Sequence, residues 1–204
     1  MARKKEEGLK ESILESARGL FAQFGPKKTT VDEIALAAGV GKGTVYYYFE
    51  DKEDIFLEVI REEMNELFQR INRAIGEYEN PALKLQALFV ERIQGLAELL
   101  NLRWLKFYSE SIRWESLERE ERRVSRKEQE LVADILEEGK AKGLFAFEDA
   151  KKISRNLINM VSALDRTFSQ DISLKEMKKK IEDVLGIIIE GLRTRELEPE
   201  GKTN

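Results

Sequence analysis

The chain contains no cysteine and no histidine, and only three prolines in 204 residues. Without cysteine there is no disulfide and no thiol redox chemistry. Without histidine as well, the sulfur and imidazole ligands on which zinc and other transition-metal sites chiefly rely are missing, and so are the Ser/His and Cys/His pairs of nucleophilic catalysis. Oxygen-only sites for magnesium or calcium stay open, but no loop has the acidic spacing of a calcium hand, and no cofactor is expected. Scarce proline leaves long stretches free to form helix. The apolar runs are far too short to cross a membrane, and the N-terminus carries charge without an apolar signal region, so the expectation is a cytoplasmic protein with no membrane partner. No segment is of low complexity.

Charge is what the chain has in abundance. Asp, Glu, Lys and Arg make up 36% of it, with a net charge of -4. Abundant Glu, Lys and Arg beside few Asn and Gln is a balance reported for proteins from hot environments. The distribution is mildly uneven: residues 1–52 hold nine basic against eight acidic side chains, a net of +1, which leaves -5 for the rest. Binding to a nucleic acid would therefore rest on the placement of Lys27, Lys28, Lys42, Lys52 and the Arg3-Lys4-Lys5 tail rather than on bulk charge. That tail is read as disordered in the absence of DNA, serving either as a groove-binding arm or as a solvated terminus.

The most informative segment is TTVDEIALAAGVGKGTVYYYFEDK, residues 29–52. Thr30 and Glu33 stand at capping-box spacing, which starts a helix. Ile34, Ala35 and Ala38 recur at helical period, and Gly39 follows where a chain leaving a helix needs positive φ. Val40 offers an apolar plug for the bend, and a second short helix is predicted from near Lys42 to Phe49. Helix, tight turn, helix is the arrangement whose second member enters the major groove of DNA. That second helix divides by face. Val45 and Phe49, four apart, can anchor it to a core, leaving Lys42, Gly43, Thr44, Tyr47 and Tyr48 outward, with Tyr46 able to serve either face. Lysine neutralises phosphate, the hydroxyls can bond phosphate oxygens or base edges, and glycine permits close backbone approach. Adjacent tyrosines can also merely pack a small helical domain; the lysine, the glycine and the capped preceding helix weigh against that.

With these residues in view, positions 9–53 resemble the DNA-binding domain of the tetracycline-repressor (TetR) family, through ILESARGLFAQFG, KTTVDEIALAAGV and GKGTVYYYFEDKEDIF. The resemblance implies an all-α protein: a three-helix helix-turn-helix domain over residues 1–52, followed by a larger helical domain for effector binding and dimerisation over 53–204. It also implies a double-stranded DNA operator as partner. Carried over by position, Thr29 and Thr30 would touch phosphates at the start of the second helix. Lys42, Gly43, Thr44 and Tyr46 would lie at or near base edges, and Tyr47, Tyr48 and Lys52 on the backbone. One departure stands out, since many members have serine where this chain has Gly41.

Beyond residue 53 the pattern is a succession of amphipathic helices. Asp51 and Asp54 cap a long one closing at Gly76, and Asn80-Pro81 opens the next. A highly charged, largely exposed helix closes at Gly139 and Gly143, and another starts near Asp149. Ser173 with Glu176 caps the last. Ile153, Leu157, Val161, Ile181, Leu185, Ile188 and Leu192 form stripes on the final two helices that can pair across a twofold axis or close the core of one subunit. Gly186 and Gly191 read as points of close approach for a neighbouring helix. The resembled family builds a four-helix homodimer bundle from these two helices and encloses a small-molecule effector between the middle ones. Here the candidate lining is Phe89, Ile93, Trp104, Phe107, Tyr108, Ile112, Met160 and Leu164, an aromatic and aliphatic set that would serve equally as core. Competing readings are an all-helical enzyme or lipid carrier, and a DNA-organising protein indifferent to sequence. Missing histidine and cysteine weigh against the enzyme, and the capped KGTVYYYF helix against the carrier.

Overall fold

The computed structural model describes residues 2–99, 115–168 and 173–193. Among them the chain forms eight helices: α1 (Ala2–Phe24), α2 (Val31–Ala37), α3 (Lys42–Tyr48), α4 (Lys52–Gly76), α5 (Pro81–Glu98), α6 (Glu115–Ala141), α7 (Ala150–Phe168) and α8 (Leu174–Leu192). The described residues hold no strand, and their only paired extended backbone is an isolated antiparallel bridge between Phe145 and Arg193. The fold is all-α. None of the helices among the described residues is long and apolar enough to cross a membrane. The basic tail, expected as disordered, is helical from Ala2, continuous with the rest of α1.

Starts and stops follow the local chemistry of the sequence. The Asn80 carboxamide accepts from the Ala82 N–H at 2.9 Å, Asp51 from the Asp54 N–H at 2.8 Å and Asp149 from the Lys152 N–H at 2.9 Å. Each satisfies an orphan donor of a first helical turn. Ser173 and Glu176 make the expected capping box of α8.

Packing divides the chain into two compact units, Met1–Gln69 with Gly95–Glu120, and Arg70–Gln94 with Glu121–Asn204. In the first, Ile13, Leu14, Ala17 and Phe21 of α1 are buried with Ile34, Val45 and Phe49, and with Ile55, Phe56, Val59 and Ile60 of α4. Phe21 and Phe56 meet edge to face, their ring centroids 5.2 Å apart, a favoured aromatic geometry. The unit that carries the helix-turn-helix includes α4 as far as Gln69.

In the second unit the core is made by Leu85, Leu88, Phe89 and Ile93 of α5, Val132, Ile135 and Leu136 of α6, Leu157, Ile158 and Val161 of α7, and Ile181, Leu185 and Ile189 of α8. A Cβ at Gly139 would collide with the Phe145 ring, so glycine is what lets the chain after α6 fold back onto it. Buried inside this core is a polar network that the sequence pattern did not reveal. Arg92 donates to Glu128 at 2.7 Å and to the Ser162 hydroxyl at 3.0 Å, with both charged side chains nearly sealed from solvent. Removing one member of such a pair would strand a buried charge, at a cost of roughly 3–5 kcal/mol. Nearer the surface Lys84 and Lys142 both reach Glu138, at 2.7 and 2.8 Å, and hold its carboxyl below the ordinary carboxylate range.

The stripes expected to pair two subunits take part in this packing to different degrees. Leu157, Val161, Ile181 and Leu185 are buried within the single chain, while Ile153, Ile188 and Leu192 are only partly covered. A side chain already covered by its own subunit offers no area to a partner. The exposed apolar residue of α8 is instead Ile187, at 76%. Apart from the helix's own local backbone, no atom of the described residues lies within 4 Å of where a Cβ would stand at Gly186 or Gly191.

Candidate nucleic-acid interface

Thr30 caps α2 from extended backbone (φ -111°, ψ 157°). Its hydroxyl accepts from the Glu33 N–H at 3.2 Å, and Glu33 in return accepts from the Thr30 N–H at 2.7 Å and from its hydroxyl at 2.8 Å. Those bonds hold the Glu33 carboxyl below the ordinary carboxylate range. At the far end Gly39 adopts φ 68°. The Val40 N–H donates to the Ala35 carbonyl at 3.0 Å and the Gly39 N–H to Leu36 at 3.2 Å. This is a Schellman termination, and it requires a left-handed residue where the glycine stands. Three residues after that glycine α3 begins, so the angle between the two helices follows from a capping box and a glycine.

Helix α3 divides by face as the spacing predicts. Val45 and Phe49 are buried, while Tyr46 is 49% and Tyr47 73% exposed. Thr44 and Tyr48 are half-buried, and Lys42 and Gly43 are exposed. Tyr47 and Tyr48 rest edge to face with centroids 5.0 Å apart. The Gly41 that replaces a more usual serine leaves α3 without a side-chain cap.

Three positions are engaged within the chain itself. Thr29 is 1% exposed, and its hydroxyl donates to the Gly25 carbonyl at 2.9 Å. Its hydroxyl thus closes the α1–α2 connection and is not presented to a phosphate. Lys52 donates to the Thr29 carbonyl at 2.7 Å and, more loosely, to Lys27 at 3.4 Å, tying the start of α4 to that same connection. Lys42 donates to the Asp32 carboxylate at 2.8 Å, which holds its ammonium above the ordinary lysine range. Sequence reasoning named neither the Lys52 tether nor the role of Asp32. The second was findable, because an acid in the first turn of one helix and a base opening the next face each other across so short a turn.

Beside α3 an open cleft of about 670 Å³ is lined by Tyr46, Tyr47, Tyr48, Phe49, Leu57, Ser116 and four carboxylate residues, Glu50, Asp51, Glu53 and Asp54. Among the described residues, the expected effector-lining Phe89, Ile93 and Met160 do not border it. Of those, Phe89 and Ile93 are buried and Met160 is half-buried. Trp104, Phe107, Tyr108, Ile112 and the side chain of Leu164 lie outside the described residues.

Comparison with known proteins places this geometry in context. Residues 13–59 match the family model described as bacterial regulatory proteins, tetR family. The HTH-type transcriptional repressor KstR2 of Mycolicibacterium smegmatis is 30% identical over 138 residues, 67% of each chain. The fatty acid metabolism regulator protein of Bacillus subtilis is 33% identical over 90 residues, 44% of this chain and 46% of that one. The crystal structure of a transcriptional regulator from Cytophaga hutchinsonii superposes with a TM-score of 0.77 at 26% identity, covering 90% of this chain and 98% of the other.

Proposed function

The chain belongs to the tetR family of bacterial regulatory proteins, and from that premise we propose that this transcriptional regulator is a repressor that binds a palindromic operator as a homodimer and leaves it when a small apolar or amphipathic effector binds. The observation that carries the reading is the two-faced α3. Two apolar side chains hold it to the core while Lys42, Gly43, Tyr46 and Tyr47 are exposed and Thr44 is half-buried. That patch suits a major groove: hydroxyls for base edges and phosphates, a glycine for close approach, and one cation. In this reading Lys42, Gly43, Thr44 and Tyr46 lie near base edges, and Thr30, Tyr47, Tyr48 and Lys52 near phosphates. Thr29 drops out of the set.

The second subunit docks on the outer face of α8, where Val184, Ile187, Ile188 and Gly191 follow at helical spacing. Ile187 and Gly191 are exposed, and Val184 and Ile188 are partly so. The effector occupies the helical second domain, with Phe89, Ile93 and Met160 the candidates among the described residues. A relative named for fatty acid metabolism agrees with an apolar or amphipathic effector. The protein works in the cytoplasm and catalyses no reaction, in keeping with relatives that are regulators.

Selection of bound duplexes from a random pool tests the reading. One near-palindromic sequence should emerge, preferred over random DNA by a factor of roughly 10³ or more at fixed salt, and extracted metabolites should release it. Recovery of unrelated sequences would assign the protein to the sequence-indifferent class.

A further inference from the structure

The contact between Lys42 and Asp32 joins the first residue of α3 to the first turn of α2. Both side chains are at least half exposed, 50% for Lys42 and 68% for Asp32. An ion pair so open to water adds little to stability, so its consequence has to be sought at the surface it occupies. That surface is the one α3 presents outward. Glu33, the neighbouring acid, is committed to Thr30 by two hydrogen bonds, which leaves Asp32 as the carboxylate that meets the lysine. An ammonium 2.8 Å from a carboxylate oxygen is engaged much as it would be by a phosphate oxygen.

We propose that Asp32 is a built-in competitor of DNA phosphate for Lys42, holding down the affinity of the reading head for duplex DNA of any sequence. This rests on the assignment of α3 as the DNA-facing helix. When DNA arrives, Lys42 either leaves Asp32 or brings a carboxylate close to the phosphate chain. Either course subtracts from the phosphate contact without regard to base sequence. Asp32 thereby keeps the protein from being held on random DNA and leaves discrimination to the base-edge contacts of α3.

The test measures binding of a random-sequence duplex across a salt series by fluorescence anisotropy. It uses the full-length wild type, Asp32→Asn, Lys42→Gln and the double variant, with urea melts to establish that each is folded. Asp32→Asn should bind roughly three- to tenfold more tightly at low salt, and its log affinity should fall more steeply with log salt, by up to about 0.9, the increment of one further phosphate contact. In the Lys42→Gln background the same substitution should tighten binding markedly less and leave the salt slope nearly unchanged, since only the carboxylate's own repulsion of phosphate is then relieved. That coupling separates competition for Lys42 from the favourable placement of an acid at a helix N-terminus, which would alter the urea melt alike in both backgrounds and leave DNA binding unmoved. Equal tightening in both backgrounds would overturn the proposal, because Asp32 would then act only as bulk charge. No tightening, or weaker binding, would overturn it as well. Failure of the wild type and Asp32→Asn to bind any duplex at the lowest salt has a different signature: it removes the DNA-facing assignment, and the proposal with it.

Discussion

At the scale of single residues, Lys52 shows how a side chain read as a phosphate contact can be serving its own chain first. A lysine in the first turn of a helix opposes the helix dipole, and here its ammonium turns back to the carbonyls of Thr29 and Lys27. Lys52→Ala should therefore lower the free energy of unfolding by roughly 1 kcal/mol, as loss of a partly exposed charged hydrogen bond does. It should also weaken binding to operator and random duplex by the same factor. Urea melts beside salt-dependent binding check both, and an unchanged melt would mean that the tether carries no stability. Glu33 gives a second residue-scale test. Its carboxyl is held low by the Thr30 hydroxyl and N–H, so the capping box is fully present above the ordinary carboxylate range and is lost as the pH falls through the lower, folded-state value. Glu33→Gln keeps a weaker cap without the titration. The melting-temperature gap between wild type and Glu33→Gln should be widest near neutrality and close in acid; a gap constant through the carboxylate range would count against the box as the origin of the shift.

At the scale of elements, α8 separates two roles that one helix can hold. Leu185 is 1% exposed within its own chain, whereas Ile187, two residues on, is 76% exposed. Successive positions on a helix turn by about 100°, so two residues take nearly opposite faces. A charge at Leu185 should unfold the second unit, at a cost no smaller than the roughly 2–5 kcal/mol of truncating a buried leucine. A charge at Ile187 should leave the melt within about 0.5 kcal/mol of wild type, as surface changes do, yet convert dimers to monomers. Sedimentation of Ile187→Glu beside denaturant melts of both variants decides the matter. Dimers persisting in Ile187→Glu would move the interface elsewhere.

At the scale of the whole molecule, a dimer with twofold symmetry imposes that symmetry on its operator. Footprints of the selected sequence should show two protected half-sites whose centres lie ~34–36 Å, or a multiple of that distance, apart. A single asymmetric half-site would contradict the dimeric arrangement. The capping boxes at Thr30 and Ser173, the glycine stop at Gly39, the proline start at Pro81 and the split faces of α3 were all legible in the sequence alone, because each depends on residues within one or two turns of one another. What only the tertiary structure decided depends on neighbours distant in the chain. Apolar period shows that Leu157, Val161, Ile181 and Leu185 face something apolar, but whether that is their own core or a second subunit depends on which helices pack beside them. Likewise Thr29, Lys52 and Arg92 carry groups that suit DNA, solvent or a buried partner equally well. Only the positions of the Gly25 and Thr29 carbonyls, of Glu128 and of Ser162 assign each to its use, since a polar group takes its role from whatever is left within hydrogen-bonding reach once the apolar residues have packed.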